Sequence, residues 1–123
     1  MKKKLLIPLT ILITLALAIG AFCYDEALIL GRTPEAYGKI WVTPATVKQL
    51  SSIYRNTAGA VFITVELNNI RYRIDGGNPD ANDGHPVVAG QNIWLTDARS
   101  ILNFRMIAVG GGARVIVTYY RRI

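Results

Sequence analysis

The sequence predicts a small all-β protein: an antiparallel β-sandwich or jelly roll of seven to eight short strands, preceded by an N-terminal apolar helix. Three observations lead there. From Lys39 onward, short apolar runs are separated by Gly, Pro, Asn and Asp, the punctuation of short strands. Ile70, Tyr72 and Ile74 alternate with Arg71 and Arg73, a period of two that puts one set toward a core and the other toward water or a partner. Residues 5–23 carry no charge and follow three lysines, which sets them apart from everything after them.

The composition bounds what such a chain can do. Its 123 residues give room for one domain. Apolar residues make up 51% and charged residues 18%, enough to bury a core and too apolar for wholesale disorder. One cysteine and one histidine exclude an internal disulfide and a zinc site built from Cys and His. The formal charge of +6 shrinks to +3, 11 basic against 8 acidic residues, once Lys2, Lys3 and Lys4 are set aside. Arg71, Arg73, Arg99, Arg105 and Arg114 are dispersed and only Arg121 and Arg122 adjoin, so no basic stripe for nucleic acid is expected.

Taken in order, residues 1–23 read as a signal peptide or membrane anchor: a basic end, an apolar middle and small residues before Tyr24-Asp25-Glu26. Ala21 and Cys23 suit cleavage before Tyr24, and Ala18 with Gly20 suits a cut before Ala21. Uncut, an apolar helix of this length nearly spans a hydrocarbon core of roughly 30 Å, with the lysines on the cytoplasmic side. Phe22 before Cys23 argues against lipid attachment. The expected location is therefore the cell envelope, exported or anchored, with the virion as the alternative. Residues 24–38, broken by Gly31, Pro34 and Gly38, read as a linker or arm with at most a short helix at 25–30.

Residues 39–123 form the expected sandwich domain, with strands at 39–43, 46–50, 60–66, 70–75, 92–95, 104–109 and 114–120 and an eighth at Val87-Val88. Two hairpins are expected. One joins 60–66 to 70–75 through Leu67-Asn68-Asn69, where Asn tolerates the left-handed conformation of a tight turn. The other joins 104–109 to 114–120 through Gly110-Gly111-Gly112-Ala113. Both alternating sets of the last strand contain apolar residues, which predicts a central strand. Between the hairpins, residues 75–90 are too rich in Gly, Pro, Asp and Asn for regular structure, and read as a long connection between two sheets or around an edge.

That loop holds the chemical candidates. Asn78, Asp80 and Asn82 fall at alternate positions, as oxygen ligands of calcium do, but the EF-hand spacing fails: position 83 is not Gly and position 89 is Ala rather than Glu. A turn-rich loop whose Asx side chains bond its own backbone explains the same residues. His85, with Asp83 two positions earlier, has no accompanying nucleophile motif, so a hydrolase built on the two is disfavoured and no catalytic residue is assigned. The glycines at 110–112 precede a strand and no Lys-Ser follows, which excludes a phosphate loop. Tyr72 faces away from Arg71 and Arg73, so a stacking platform for single strands is not expected either. What remains is a candidate contact surface of Arg71, Arg73, Asn78, Asp80, Asn82, His85, Tyr120 and Arg121, with no cofactor and no metal.

Two stretches, ITVELNNIRYRIDGGNPDANDGHPVVAGQNIWL and NFRMIAVGGGARVIVTYYR, resemble a family of small proteins encoded among the virion structural genes of tailed bacteriophages and prophages. The shared order is an apolar strand, an IRYR-D-G strand, a Pro-containing loop ending in Gly-His, an Ala-Gly turn, and an F-R-x-I strand leading into V-T-Y, within residues 61–120. The resemblance implies a non-enzymatic β-sandwich that assembles with itself and with other structural proteins. Residues 1–23 depart from it, because a virion protein assembled in the cytoplasm needs no export segment, and they imply a membrane as a further partner. The alternative expectation is an exported or tethered envelope protein that binds a surface partner.

Overall fold

The computed structural model describes residues 32–122. The expected apolar helix at 1–23 and the first part of the arm, through residue 31, lie outside the described residues. Eight strands follow: β1 (Pro34–Val42), β2 (Lys48–Gln49), β3 (Ala58–Glu66), β4 (Asn69–Arg73), β5 (His85–Val87), β6 (Asn92–Leu95), β7 (Arg105–Val109) and β8 (Ala113–Arg121), with one short helix, α1 (Ala98–Asn103), before β7. They form two four-stranded sheets, ordered β1-β8-β3-β6 and β2-β7-β4-β5. All neighbours are antiparallel. The all-β reading holds, and β8 is central as its composition implied.

Period-two alternation builds the core. Val61, Ile63 and Val65 of β3 and Val115, Val117 and Tyr119 of β8 are buried, while the residues between them are half-exposed. From the second sheet Ile70, Val87, Met106 and Ala108 join the same cluster, with Leu50, Ile101 and Phe104 closing it. At roughly 25 cal/mol per Å² of apolar surface removed from water, this shared cluster is the main force holding the two sheets face to face.

The connections depart from expectation. Neither expected hairpin exists: β3 and β4 lie in different sheets, and so do β7 and β8. Both flanks of β3 are already occupied, by β8 over its length and by β6 over Val61–Thr64. The chain therefore leaves the first sheet at a corner. There Asn68 N donates to Glu66 O at 3.0 Å across Leu67, whose φ of 76° gives the corner the form of a γ-turn. Asn68 Nδ2 donates to Gly112 O at 2.8 Å, which ties this corner to the one between β7 and β8.

The long loop also differs. β4 and β5 pair with each other, Ile70 opposite Val87 and Tyr72 opposite His85, so residues 74–84 are a hairpin loop at a sheet edge and not a crossing. The crossing is made by the short turn after β5, where Gln91 N donates to Val88 O at 3.0 Å. Ile74 lies beyond the end of β4 and is exposed instead of facing the core.

Two boundaries move as well. β1 starts at Pro34, inside the expected arm, because Pro is tolerated as a first strand residue and Gly38 sits opposite Val117 without breaking the ladder. Helix α1 was not expected. Asp97 caps it, its side chain accepting from Ser100 N at 2.8 Å, and the chain turns extended again at Phe104.

Candidate functional site

The eight candidate contact residues do not form one surface. Six of them, Arg71, Arg73, Asn78, Asp80, Asn82 and His85, belong to β4, β5 and the loop between, in the second sheet. Tyr120 and Arg121 end β8 in the first sheet.

The loop is braced by arginines. Arg73 reaches Asp75 through Nε (3.0 Å) and Nη2 (2.5 Å), and reaches Asp83 through Nη1 (3.2 Å). Arg71 donates to Gly84 O at 2.8 Å, and Arg105 of β7 donates to Asn78 Oδ1 at 2.6 Å. Gly77 leaves room for the Arg73 guanidinium, since a Cβ there would lie 2.5 Å from its central carbon and push it aside. The hydrogen bond from Arg73, helped by Gly77 N–H, holds the Asp75 carboxyl down at about 2. The two arginines expected to face a partner thus also hold their own loop, Arg73 through three hydrogen bonds and Arg71 through one.

The same pairings occupy several of the loop's oxygens. Asn78 is taken by Arg105, the Asp80 carboxylate accepts from Asn82 N at 2.8 Å, and Asp75 and Asp83 are held by Arg73. Three guanidiniums around the loop repel a divalent ion, and among the described residues no three His, Cys, Asp or Glu side chains gather as a metal site. His85 lies over Tyr72, ring centroids 5.2 Å apart, and Tyr72 stacks in turn on buried Phe104 at the same spacing. Asp83 is bound to Arg73 rather than aimed at His85.

A second feature lies on the outer face of the first sheet. Register places Tyr37, Thr118, Phe62 and Trp94 in one row across β1, β8, β3 and β6. Phe62 and Trp94 rings are 4.5 Å apart, and Trp94 and Tyr120 are 5.7 Å apart. Trp41 flanks the row, with its indole edge over Gly112, where a Cβ would collide at 2.3 Å. Tyr37 is 63% exposed, Trp41 54% and Trp94 40%. Beside Trp41 in register, Arg114 pairs with Glu66 across the strands at 2.5 Å. Tyr120 joins this aromatic face, whereas Arg121 sits exposed at its end, its backbone N–H donating to Thr33 O at 3.0 Å.

Tyr37, Trp41, Phe62 and Trp94 were not singled out from sequence, although a signal exists. Glu35, Tyr37, Lys39 and Trp41 alternate with small or aliphatic residues, a strand pattern hidden by reading residues 24–38 as an arm. At the α1 end, Arg55, Arg99 and Arg122 with Leu102 line an open cleft of about 480 Å³. Arg55 and Arg122 there donate to Gln49 and to the carbonyl of Asn56, so much of their capacity is structural.

Comparison with family models, with curated proteins and with solved structures finds no match to this chain. No helix among the described residues is long and apolar enough to cross a membrane.

Proposed function

We propose that the chain is a non-enzymatic structural or binding module, of the kind found among small phage virion components, that works by contact between protein surfaces. The aromatic outer face of the first sheet carries this reading. Large planar rings on a rigid sheet bury much area at little entropic cost, which is why Tyr and Trp concentrate at protein interfaces. The polar groups that would serve catalysis are instead bound to one another: Arg73 to Asp75 and Asp83, Arg105 to Asn78. Partners are further copies of the chain and other structural proteins.

Mass spectrometry of purified particles from cells carrying the gene, with light scattering of the isolated chain, tests this reading. The expected result is the chain on particles and association that grows with concentration. Replacing Trp94 by Ser should lower its copy number on particles while leaving the circular dichroism unchanged. A strict monomer with no copy on particles overturns the proposal.

The basic and apolar residues 1–23 favour a second reading, an exported or membrane-tethered protein contacting a partner at the envelope. Ten Leu and Ile residues between Leu5 and Ile19, at a few tenths of a kcal/mol each, favour insertion by several kcal/mol. Fractionation with intact-mass measurement separates secretion, with residues 1–20 or 1–23 lost, from tethering at full length. A full-length chain in the soluble cytoplasm overturns this second reading.

A further inference from the structure

The two sheets have four outer edges among the described residues, and three are short. β6 has four residues, β5 three and β2 two. β1 has nine, and among the described residues its outer side has no partner strand. A long edge offers a row of unpaired N–H and C=O groups to another strand, and proteins ordinarily guard it with a charge, a proline or a bulge. β1 has Pro34 and a register shift at its start, and Lys39 near its middle.

Lys39 guards against most strands, but not against this one. Tyr37, Lys39 and Trp41 share the outward face, Glu35 stands beside them at the register shift, all four are exposed, and neither Glu35 nor Lys39 is ion-paired among the described residues. Consider a second copy laid antiparallel along β1 by a two-fold axis normal to the sheet. Both cores then stay on the same side only if the axis passes through a residue, because a one-residue slip turns every side chain over. An axis at Lys39 sets like charges opposite each other, and an axis at Gly38 sets Glu35 against Trp41. An axis at Tyr37 sets Glu35 against the partner subunit's Lys39, twice by symmetry, with Tyr37 against itself.

From this edge and this charge pattern we infer that β1 pairs with β1 of a second copy, antiparallel and centred on Tyr37, joining two first sheets into one of eight strands. The inference rests on the contact reading above and names one partner for it. The join is isologous and closes at two copies, so it makes dimers and not fibres. It also aligns the aromatic rows: Trp94, Phe62, Thr118 and Tyr37 of one copy continue directly into Tyr37 of the other. Two half-faces become one continuous face for the next protein.

The full chain in mild detergent tests this, with Cys23→Ser removing its one native thiol. Tyr37→Cys on that background should form a disulfide-linked dimer on oxidation, because facing residues of paired strands bring their Cβ atoms within about 5 Å. Trp94→Cys, at the opposite edge, should not. Lys39→Glu should weaken association about tenfold by setting two carboxylate pairs in opposition, and adding Glu35→Lys should restore it. Association with no cross-link at position 37, or indifferent to Lys39→Glu, overturns the inference and leaves the contact reading standing. A monomer absent from particles overturns both.

Discussion

Leu67 is the residue that least suits its backbone. Its φ of 76° is the left-handed region, which costs an L-residue roughly 1 kcal/mol, and its side chain is 60% exposed, so little burial offsets that cost. Leu67→Gly should therefore raise stability by about 0.5–1 kcal/mol in urea unfolding, against the usual direction of a substitution to Gly. A loss of stability would mean that the exposed leucine packs in a way its accessibility conceals. The sequence pointed to a left-handed residue in Leu67-Asn68-Asn69 and suggested the asparagines. Asn68 is instead needed as a side-chain donor to Gly112 O, a long-range demand that local preference does not register.

Asp75 gives the residue scale a pH dependence. Its folded pKa, about 2, lies below the ordinary carboxylate value because Arg73 and the Gly77 N–H favour the charged form. The folded chain thus holds fewer protons at this site, and its contribution is complete above about pH 4 and lost as pH falls toward 2. Asp75 is exposed, so the effect is local. Amide exchange in the 74–84 loop should quicken over that interval while the core strands stay protected, and Asp75→Asn should show the fast exchange at neutral pH. An unchanged loop at pH 2 would contradict the bracing role given to Arg73.

At the scale of elements, what was legible and what was not have separate physical causes. Most strands were visible, because burial on one face writes a period of two into the chain: 60–66 and 114–120 were read nearly as they stand, while the first half of β1 was not. Which strand pairs with which was not visible. Alternation specifies the face a residue turns to and says nothing about its neighbour in the ladder, so two chain-adjacent strands look like a hairpin whether they pair or turn a corner. The bracing of the candidate loop was hidden for a related reason: Arg71 and Arg73 alternate as a solvent-facing set should, yet their partners Gly84 and Asp83 come from a loop ten and more residues away. α1 had a readable start in Asp97, three residues before Ser100, and Asp97→Ala should cost about 1 kcal/mol by removing that cap. In β1, Gly38 has nothing within 4 Å of where a Cβ would stand and no positive φ. Gly38→Ala should stabilise by about 0.5–1 kcal/mol in thermal or urea unfolding, and a destabilisation would show that the strand needs glycine there for a reason other than space.

For the whole molecule, the order in which the chain visits its sheets sets the folding behaviour. β1, β3, β6 and β8 make the first sheet, and β2, β4, β5 and β7 the second, so the chain changes sheet at nearly every connection. No contiguous stretch contains a complete sheet without also containing strands of the other. β8, the last strand, lies between the first and the third, and its hydrogen bonds to β1 close a loop of some seventy residues. Such pairing pays loop-closure entropy before any contact repays it, which places folding in the slow range of β-sandwiches, about milliseconds to seconds. Neither sheet has a face to bury until the other is present, so unfolding should be a single transition, with near- and far-ultraviolet circular dichroism coinciding. Asn68→Ala, which cuts the tie between the two corners, should lower the midpoint of that transition without splitting it, by about 1 kcal/mol for one lost hydrogen bond. Two separated transitions, in the native chain or in this variant, would mean that one sheet stands without the other, which its interleaved strands and shared core do not allow.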